Sequence, residues 1–217
     1  MSKPLKALVL DDSPDDAELL LYELRRGGFE VNHVLVDTPE DLEAALRDHT
    51  WDIILSDYSM PSFDAPAALK IVRDRGFDLP FIIISGTVGE DAAVNAMKAG
   101  ATDFFTKGKL ARLVPTVERE LRESAERRKR GEAEARFTIA FHGSPLGIVI
   151  SRQSDSVILD VNERFLETYG FTRDQLIGKT SDEVEVRMMP EQQASVTHML
   201  RETGSAQAIE VEYETAS

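Results

Sequence analysis

The chain has 217 residues, enough for one large or two small domains, and a formal net charge of −14, which argues against non-specific binding to DNA or RNA because like charge repels the phosphate backbone. It contains no cysteine, which excludes disulfides, cysteine-ligated zinc or iron–sulfur centres and a cysteinyl-flavin adduct. No apolar stretch approaches the roughly 18–20 residues that span a bilayer, and the first one (Leu5, then Ala7 to Leu10, broken by Lys6) is too short for a signal peptide, so a cytoplasmic protein without a membrane partner is expected.

The first 115 residues alternate between two periodicities. Strands are expected near 5–10, 31–36, 52–56, 80–85 and 103–106, and helices near 14–26, 39–48, 65–75, 90–99 and from 110 onward. Local punctuation agrees. Ser13-Pro14 starts a helix, with Pro14 at its first position, and Gly27-Gly28 ends it; Thr38-Pro39 opens the second and Gly76 closes the third. Such alternation predicts a doubly wound α/β fold around a five-stranded parallel sheet with right-handed crossovers.

The character changes from about 110 to 136. Leu110, Leu113, Val114, Val117, Leu121 and Ala125 recur at spacings of three and four on an otherwise charged helix, and Arg127-Arg128-Lys129-Arg130 follow. Two readings compete. Either a last helix packs on its own sheet and ends in a solvated tail, or it outruns its domain and pairs with a second copy as a short coiled coil. The second is preferred, although only about two heptads support it.

Residues 137–217 form a second, smaller unit, expected as α+β with an antiparallel sheet. Phe137 to Phe141 suggest a short helix ending near His142-Gly143. Gly147–Ile150 and Val157–Leu159 read as a hairpin around Gln153-Ser154-Asp155. Asn162 caps a helix that Gly170 closes, a longer helix is expected over 191–202, and Ala208 to Tyr213 alternate like a strand. The chain stops there, so the sequence is expected to be a fragment of something longer.

Four of the strands in the first half end in a polar residue. Ala7–Leu10 run into Asp11-Asp12, Ile53–Ser56 into Asp57, Phe81–Ile84 into Ser85, and Phe104–Thr106 into Lys107. Ligands of open parallel sheets sit outside the carboxyl ends of the strands, so three carboxylates, a hydroxyl and an ammonium are expected to share one crevice. Neighbouring carboxylates repel unless a cation lies between them, and hard oxygen donors with open positions suit Mg²⁺. One carboxylate could be the nucleophile towards a phosphoryl group, with Lys107 and the Ser85 hydroxyl neutralising its oxygens.

In order and spacing, Asp11-Asp12, Asp57-x-x-Met60-Pro61, Ser85 and Lys107 resemble the receiver domains of two-component response regulators over roughly residues 4–125. The resemblance implies a flavodoxin-like fold for residues 1–125 and Asp57 as phosphoacceptor. It implies Mg²⁺ held by Asp12 directly, Asp11 largely through water, Asp57 and the backbone carbonyl of Ser59. It also implies Ser85 and Lys107 at the phosphate, Ser85 and Phe104 as the switch pair, and a histidine kinase or phosphotransfer protein as partner. Two departures stand out. Gly108 replaces the proline that usually follows the lysine, so a looser loop is expected there, and Ala65 stands where glycine is common.

In the second unit, Ser144-Pro145-Leu146-Gly147, Asn162-x-x-Phe165, Gly170-Phe171-Thr172 and Leu176-Ile177-Gly178-Lys179 resemble a PAS sensor domain over residues 137–217, without the family's last two strands. Its ligand stays unassigned. Haem would need His198 as axial ligand, and a lone helical histidine is far more often a plain surface or core residue. His142 is explained by the dipole of a helix end, and His33 and His49 have no evident role.

The sequence thus favours a signalling protein in which phosphorylation of Asp57 is relayed through the last receiver helix and the linker (110–136) to the PAS module, as a homodimer through either. The alternative is the regulatory amino-terminal part of a histidine kinase or diguanylate cyclase. These residues alone carry no kinase phosphoacceptor histidine and no nucleotide-binding loop, so no enzyme beyond slow autodephosphorylation is expected of them. A phosphohydrolase is disfavoured because no second acid–base residue neighbours Asp57.

Overall fold

The computed structural model describes residues 2–86, 90–180, 183–184, 187–188 and 213–214. The chain divides into two compact units, residues 1–130 and 131–217.

The first unit alternates strand and helix: β1 (Lys3–Leu10), α1 (Pro14–Arg26), β2 (Phe29–Val36), α2 (Pro39–Asp48), β3 (Ile53–Asp57), α3 (Ala65–Asp74), β4 (Phe81–Ser85), α4 (Glu90–Lys98), β5 (Asp103–Thr106), a 3₁₀ turn (Leu110–Arg112) and α5 (Leu113–His142). The strands form one parallel sheet in the order β2-β1-β3-β4-β5. The expected doubly wound fold is therefore present. β1 and β2 start two residues earlier than expected, in register Lys3↔Phe29. The exposed positions in their first halves hide the strand signal.

Side chains alternate across a strand, so the sheet makes a core on each face. Leu5, Ala7 and Val9 of β1 join Ile53, Leu55, Ile82, Ile84 and Phe105 under α1 and α5. Leu8 and Leu10 join Ile54, Phe81 and Ile83 under α2, α3 and α4. α1 presents Ala17, Leu20, Leu21 and Leu24, one helical face at spacings of three and four, all buried. Side-chain caps start three of the helices: Ser13, Thr38 and Asp64 accept from the backbone N–H of Asp16, Asp41 and Ala67. The turn after α1 requires glycine, because a Cβ on Gly27 would lie 2.5 Å from Val114 Cγ2 of α5.

α5 differs from expectation. A separate short helix was expected over 137–141, but one helix of 30 residues runs from Leu113 to His142. Its apolar stripe ends near Leu121, and residues 126–140 are exposed throughout. Backbone hydrogen bonding continues through Arg, Lys, Glu and Ala, all good helix formers, after the sheet has ended.

In the second unit, β6 (Val149–Ser151) and β7 (Ile158–Val161) pair antiparallel with a shift at Ile150/Ser151, forming the expected hairpin. α6 (Glu163–Tyr169) starts at the Asn162 cap and ends at Gly170, whose φ of 74° is left-handed. α7 (Arg173–Leu176) follows. Ile158, Val161 and Leu176 are buried, with Phe165, Leu166, Phe171 and Val184 packed around them. β8 (Arg187–Met188) pairs antiparallel with β9 (Tyr213–Glu214). The helix expected over 191–202, with His198, lies outside the described residues, as does the strand expected from Ala208 apart from Tyr213.

Candidate functional site

The crevice at the carboxyl edge of the first sheet holds Asp11, Asp57, Ser85 and Lys107, each at or just past a strand end. Asp57 is the last residue of β3 and is nearly buried, at 9% exposure. Its Oδ2 accepts from the backbone N–H of Ser59 at 3.3 Å, leaving Oδ1 towards Lys107 Nζ at 3.1 Å. Asp11 is 1% exposed. Its Oδ1 accepts from the Ser13 N–H at 2.9 Å and its Oδ2 from Lys107 Nζ at 3.2 Å. Lys107 follows β5, and its N–H donates to the Ser85 carbonyl at 2.8 Å, which sets the ammonium beside the end of β4. Ser85 is itself buried.

Two opposing effects act on this cluster. Burial raises the Asp11 pKa, against the lowering by the Ser13 N–H and Lys107, and Asp57 nearby adds to the rise. Burial alone would lower the Lys107 pKa, but hydrogen bonds to Asp16 and Asp57 and the charges of Asp11 and Asp57 outweigh it and hold the ammonium above the ordinary lysine value. Lys107 is therefore a fixed cation that keeps mutually repelling carboxylates in one pocket.

Asp12 and Ser59 are exposed beside this core. Among the described residues no three His, Cys, Asp or Glu side chains stand close enough together to hold a metal ion. The donor chemistry nevertheless suits Mg²⁺: Asp11 and Asp57 present oxygens to one shared cation, and the exposed Asp12 adjoins them.

Phe104 is half-buried and packs edge-on against Tyr58, the residue after Asp57, with centroids 6.2 Å apart at 69°. This contact joins the residue that follows β3 to the expected switch ring, and nothing in the sequence pairs the two rings. In the loop with Gly108 in place of proline, the Lys109 N–H donates to the Thr106 carbonyl at 2.8 Å.

Asp16, unread in the sequence, makes the shortest contact to Lys107, at 2.6 Å. The available signal was its place three residues after Ser13, in the first turn of α1. There an acid is ordinarily assigned to capping the helix start rather than to a lysine some ninety residues away.

In the second unit, Asn162 is fully buried and makes four hydrogen bonds. Its Oδ1 accepts from the N–H of Ile148 (2.8 Å) and Phe165 (3.0 Å), and its Nδ2 donates to the carbonyls of Phe141 and Leu146, both at 2.9 Å. A cap was expected, and a tie between the end of α5, the hairpin and α6 is found. His142 is held by more than a helix dipole: its Nδ1 lies 2.6 Å from Glu163 Oε2. Arg173 bridges Asp160 and donates to the Val161 carbonyl at 2.7 Å. Of the remaining histidines, His49 packs edge-on against Trp51.

Comparison with known proteins agrees with the fold of the first unit. The family model for the response regulator receiver domain matches residues 7–118, and that for a PAS domain matches residues 145–217. The response regulator protein PilR of Pseudomonas aeruginosa is 31% identical over 116 residues, 52% of this chain and 26% of PilR. The transcriptional regulatory protein ZraR of Salmonella typhimurium is 32% identical over 120 residues, 55% of this chain and 27% of ZraR. The chain thus spans about a quarter of the length of these relatives. The receiver domain of the Francisella response regulator 1452 superposes with a TM-score of 0.50 at 23% identity, over 55% of this chain and 98% of that one, and shares the fold. Among the described residues no helix is long and apolar enough to cross a membrane.

Proposed function

The chain belongs to the response regulator receiver family and carries a PAS domain after the receiver, and on that premise we propose that Asp57 accepts a phosphoryl group from a phosphohistidine of a partner histidine kinase or phosphotransfer protein. The observation that carries this reading is the shared cation: Asp57 Oδ1 and Asp11 Oδ2 lie 3.1 and 3.2 Å from one ammonium, at the strand ends where the family places its acceptor.

In the transfer, a carboxylate oxygen of Asp57 attacks phosphorus, the phosphorus–nitrogen bond of the donor breaks, and its electrons and a proton go to the leaving imidazole. The product is an acyl phosphate. Lys107 neutralises charge on the phosphoryl oxygens and the Ser85 hydroxyl donates to one of them. Asp11, Asp12, Asp57 and the Ser59 carbonyl are the groups that would hold Mg²⁺, which supplies the remaining charge neutralisation. The phosphoryl group adds about −1.5 to −2 charge beside Ser85, and the Ser85–Phe104 pair is the element we expect it to bias.

The output is relayed along α5, whose residues belong to both units, towards the PAS domain. The exposed stretch 126–140, with Phe137 and Ile139 uncovered, is where a second copy would pair. The test is incubation with acetyl phosphate and Mg²⁺, followed by intact mass and by chromatography for oligomeric state. A labile mass gain of one phosphoryl group that is lost in Asp57→Asn supports the acceptor, and no gain in the wild type overturns it. An oligomeric state indifferent to beryllofluoride overturns the relay through pairing.

A further inference from the structure

We propose that Asp16 is a positioning residue: it competes with Asp11 and Asp57 for the Lys107 ammonium that all three contact, and yields it when a phosphoryl group forms on Asp57. The inference rests on the functional reading above and assigns a role that the strand-end residues do not supply.

Distance is the first argument. Lys107 Nζ lies 2.6 Å from Asp16 Oδ2, against 3.1 Å from Asp57 and 3.2 Å from Asp11. The second is local. Asp16 stands at the third position of α1, three residues after its cap, where an acid ordinarily reaches back to the backbone N–H of the capping residue. Here that N–H, on Ser13, already donates to Asp11 Oδ1 at 2.9 Å. The Asp16 carboxylate is thereby left to Lys107, and the buried metal-site acid and the helix acid are placed by the same short turn. Asp16 N–H still donates to Ser13 Oγ at 3.3 Å, so the helix cap does not depend on the Asp16 side chain.

Exposure decides which partner can release the cation. The Asp16 side chain is 42% exposed and that of Asp11 1%. An exposed carboxylate regains water when it loses its partner, whereas a buried one does not. Asp16 is therefore the member of the trio that gives up Lys107 at least cost. Before phosphorylation it shares the ammonium with Asp11 and Asp57 and so loosens their hold on it, which eases entry of a divalent cation between them. Afterwards the extra charge of about −1.5 to −2 on the phosphoryl group outcompetes a single carboxylate for the same ammonium.

These two roles predict opposite shifts. In Asp16→Asn, the ammonium is left to Asp11 and Asp57 alone, so Mg²⁺ binding weakens about two- to fivefold, while beryllofluoride binding at saturating Mg²⁺ tightens by about the same factor. Asp15→Asn removes the same charge one residue earlier on the exposed side of α1 and measures the field alone; both its shifts should stay within about 1.5-fold at physiological salt. In a Lys107→Met background, the Asp16→Asn shifts should shrink to those of Asp15→Asn. All are read by calorimetric titration of the full chain with MgCl₂, then with beryllofluoride. Shifts in the same direction, equal shifts in Asp15→Asn, or shifts that survive Lys107→Met overturn the inference and leave the functional reading standing. A wild type that binds neither probe overturns both.

Discussion

Among the described residues, the receiver unit and the PAS unit are held together by different means. In the first, every strand of a two-faced sheet is sealed by helices, and its stability comes from apolar packing on both sides. In the second, Phe141, Ile158, Val161 and Leu176 are the described buried apolar residues, and polar side chains tie the backbone segments together: Asn162 joins four groups and Arg173 bridges Asp160, Val161 and Glu163. A unit built on packing tolerates loss of one surface polar group, whereas a unit built on polar ties does not. The same contrast separates their chemistry. The receiver can keep charged groups in a crevice because its core does not depend on them.

The sharpest way to break this comparison is Asn162→Ala. It removes a fully buried amide and leaves two N–H groups and two carbonyls without their partner, which should cost roughly 2–5 kcal/mol. Thermal unfolding followed separately in the two units should show the PAS transition lowered and the receiver transition unmoved. Equal shifts in both would show that the units are not separately stabilised.

Gly27→Ala tests the packed side. The added Cβ would meet both γ-methyls of Val114, at 2.5 and 2.7 Å, and a β-branched side chain has little room to turn away. Overpacking of this kind typically costs about 1–3 kcal/mol, read as a lower urea midpoint for the receiver with unchanged slope. Relief of the loss by Val114→Ala in the double variant would locate the cost in that contact.

Tyr58→Ala removes the ring packed edge-on against Phe104. Such pairs contribute about 0.5–1.5 kcal/mol beyond their buried area. The expected outcome is a receiver that still becomes phosphorylated but whose Phe104 ring, followed by ¹⁹F label, no longer differs between the free and beryllofluoride-bound states. A label that responds as in the wild type would mean that Tyr58 is packing only.

Much of the receiver is legible in the sequence because parallel strands buried on both faces read as unbroken apolar runs, and the polar residue ending each run marks the ligand edge. Asp11, Asp57, Ser85 and Lys107 fall where that rule puts them. Asp16 escaped it because the rule names strand ends, and a first-turn helix acid has an ordinary local explanation. The continuity of α5 past residue 136 is not legible because a helix beyond its packing partner needs no apolar period, and Phe137 to Phe141 read as a short helix of their own. Asn162 was read correctly as a cap, but its bonds to Phe141 and Leu146 reach 21 and 16 residues back, beyond any local pattern.

The smallest effect concerns acid. The hydrogen bond from His142 holds the Glu163 carboxyl below its ordinary value of 4.5, aided by its own backbone N–H and by Arg173. A depressed carboxyl stabilises the fold above its unfolded pKa, and that contribution disappears as pH falls through the folded value. The PAS unit should therefore lose stability below about pH 4.5, and part of that loss should vanish in Glu163→Gln. Both side chains are largely exposed, so the difference should be small and should shrink further in high salt. A Glu163→Gln variant with the wild-type acid profile would place the polar ties that matter at Asn162 and Arg173 instead.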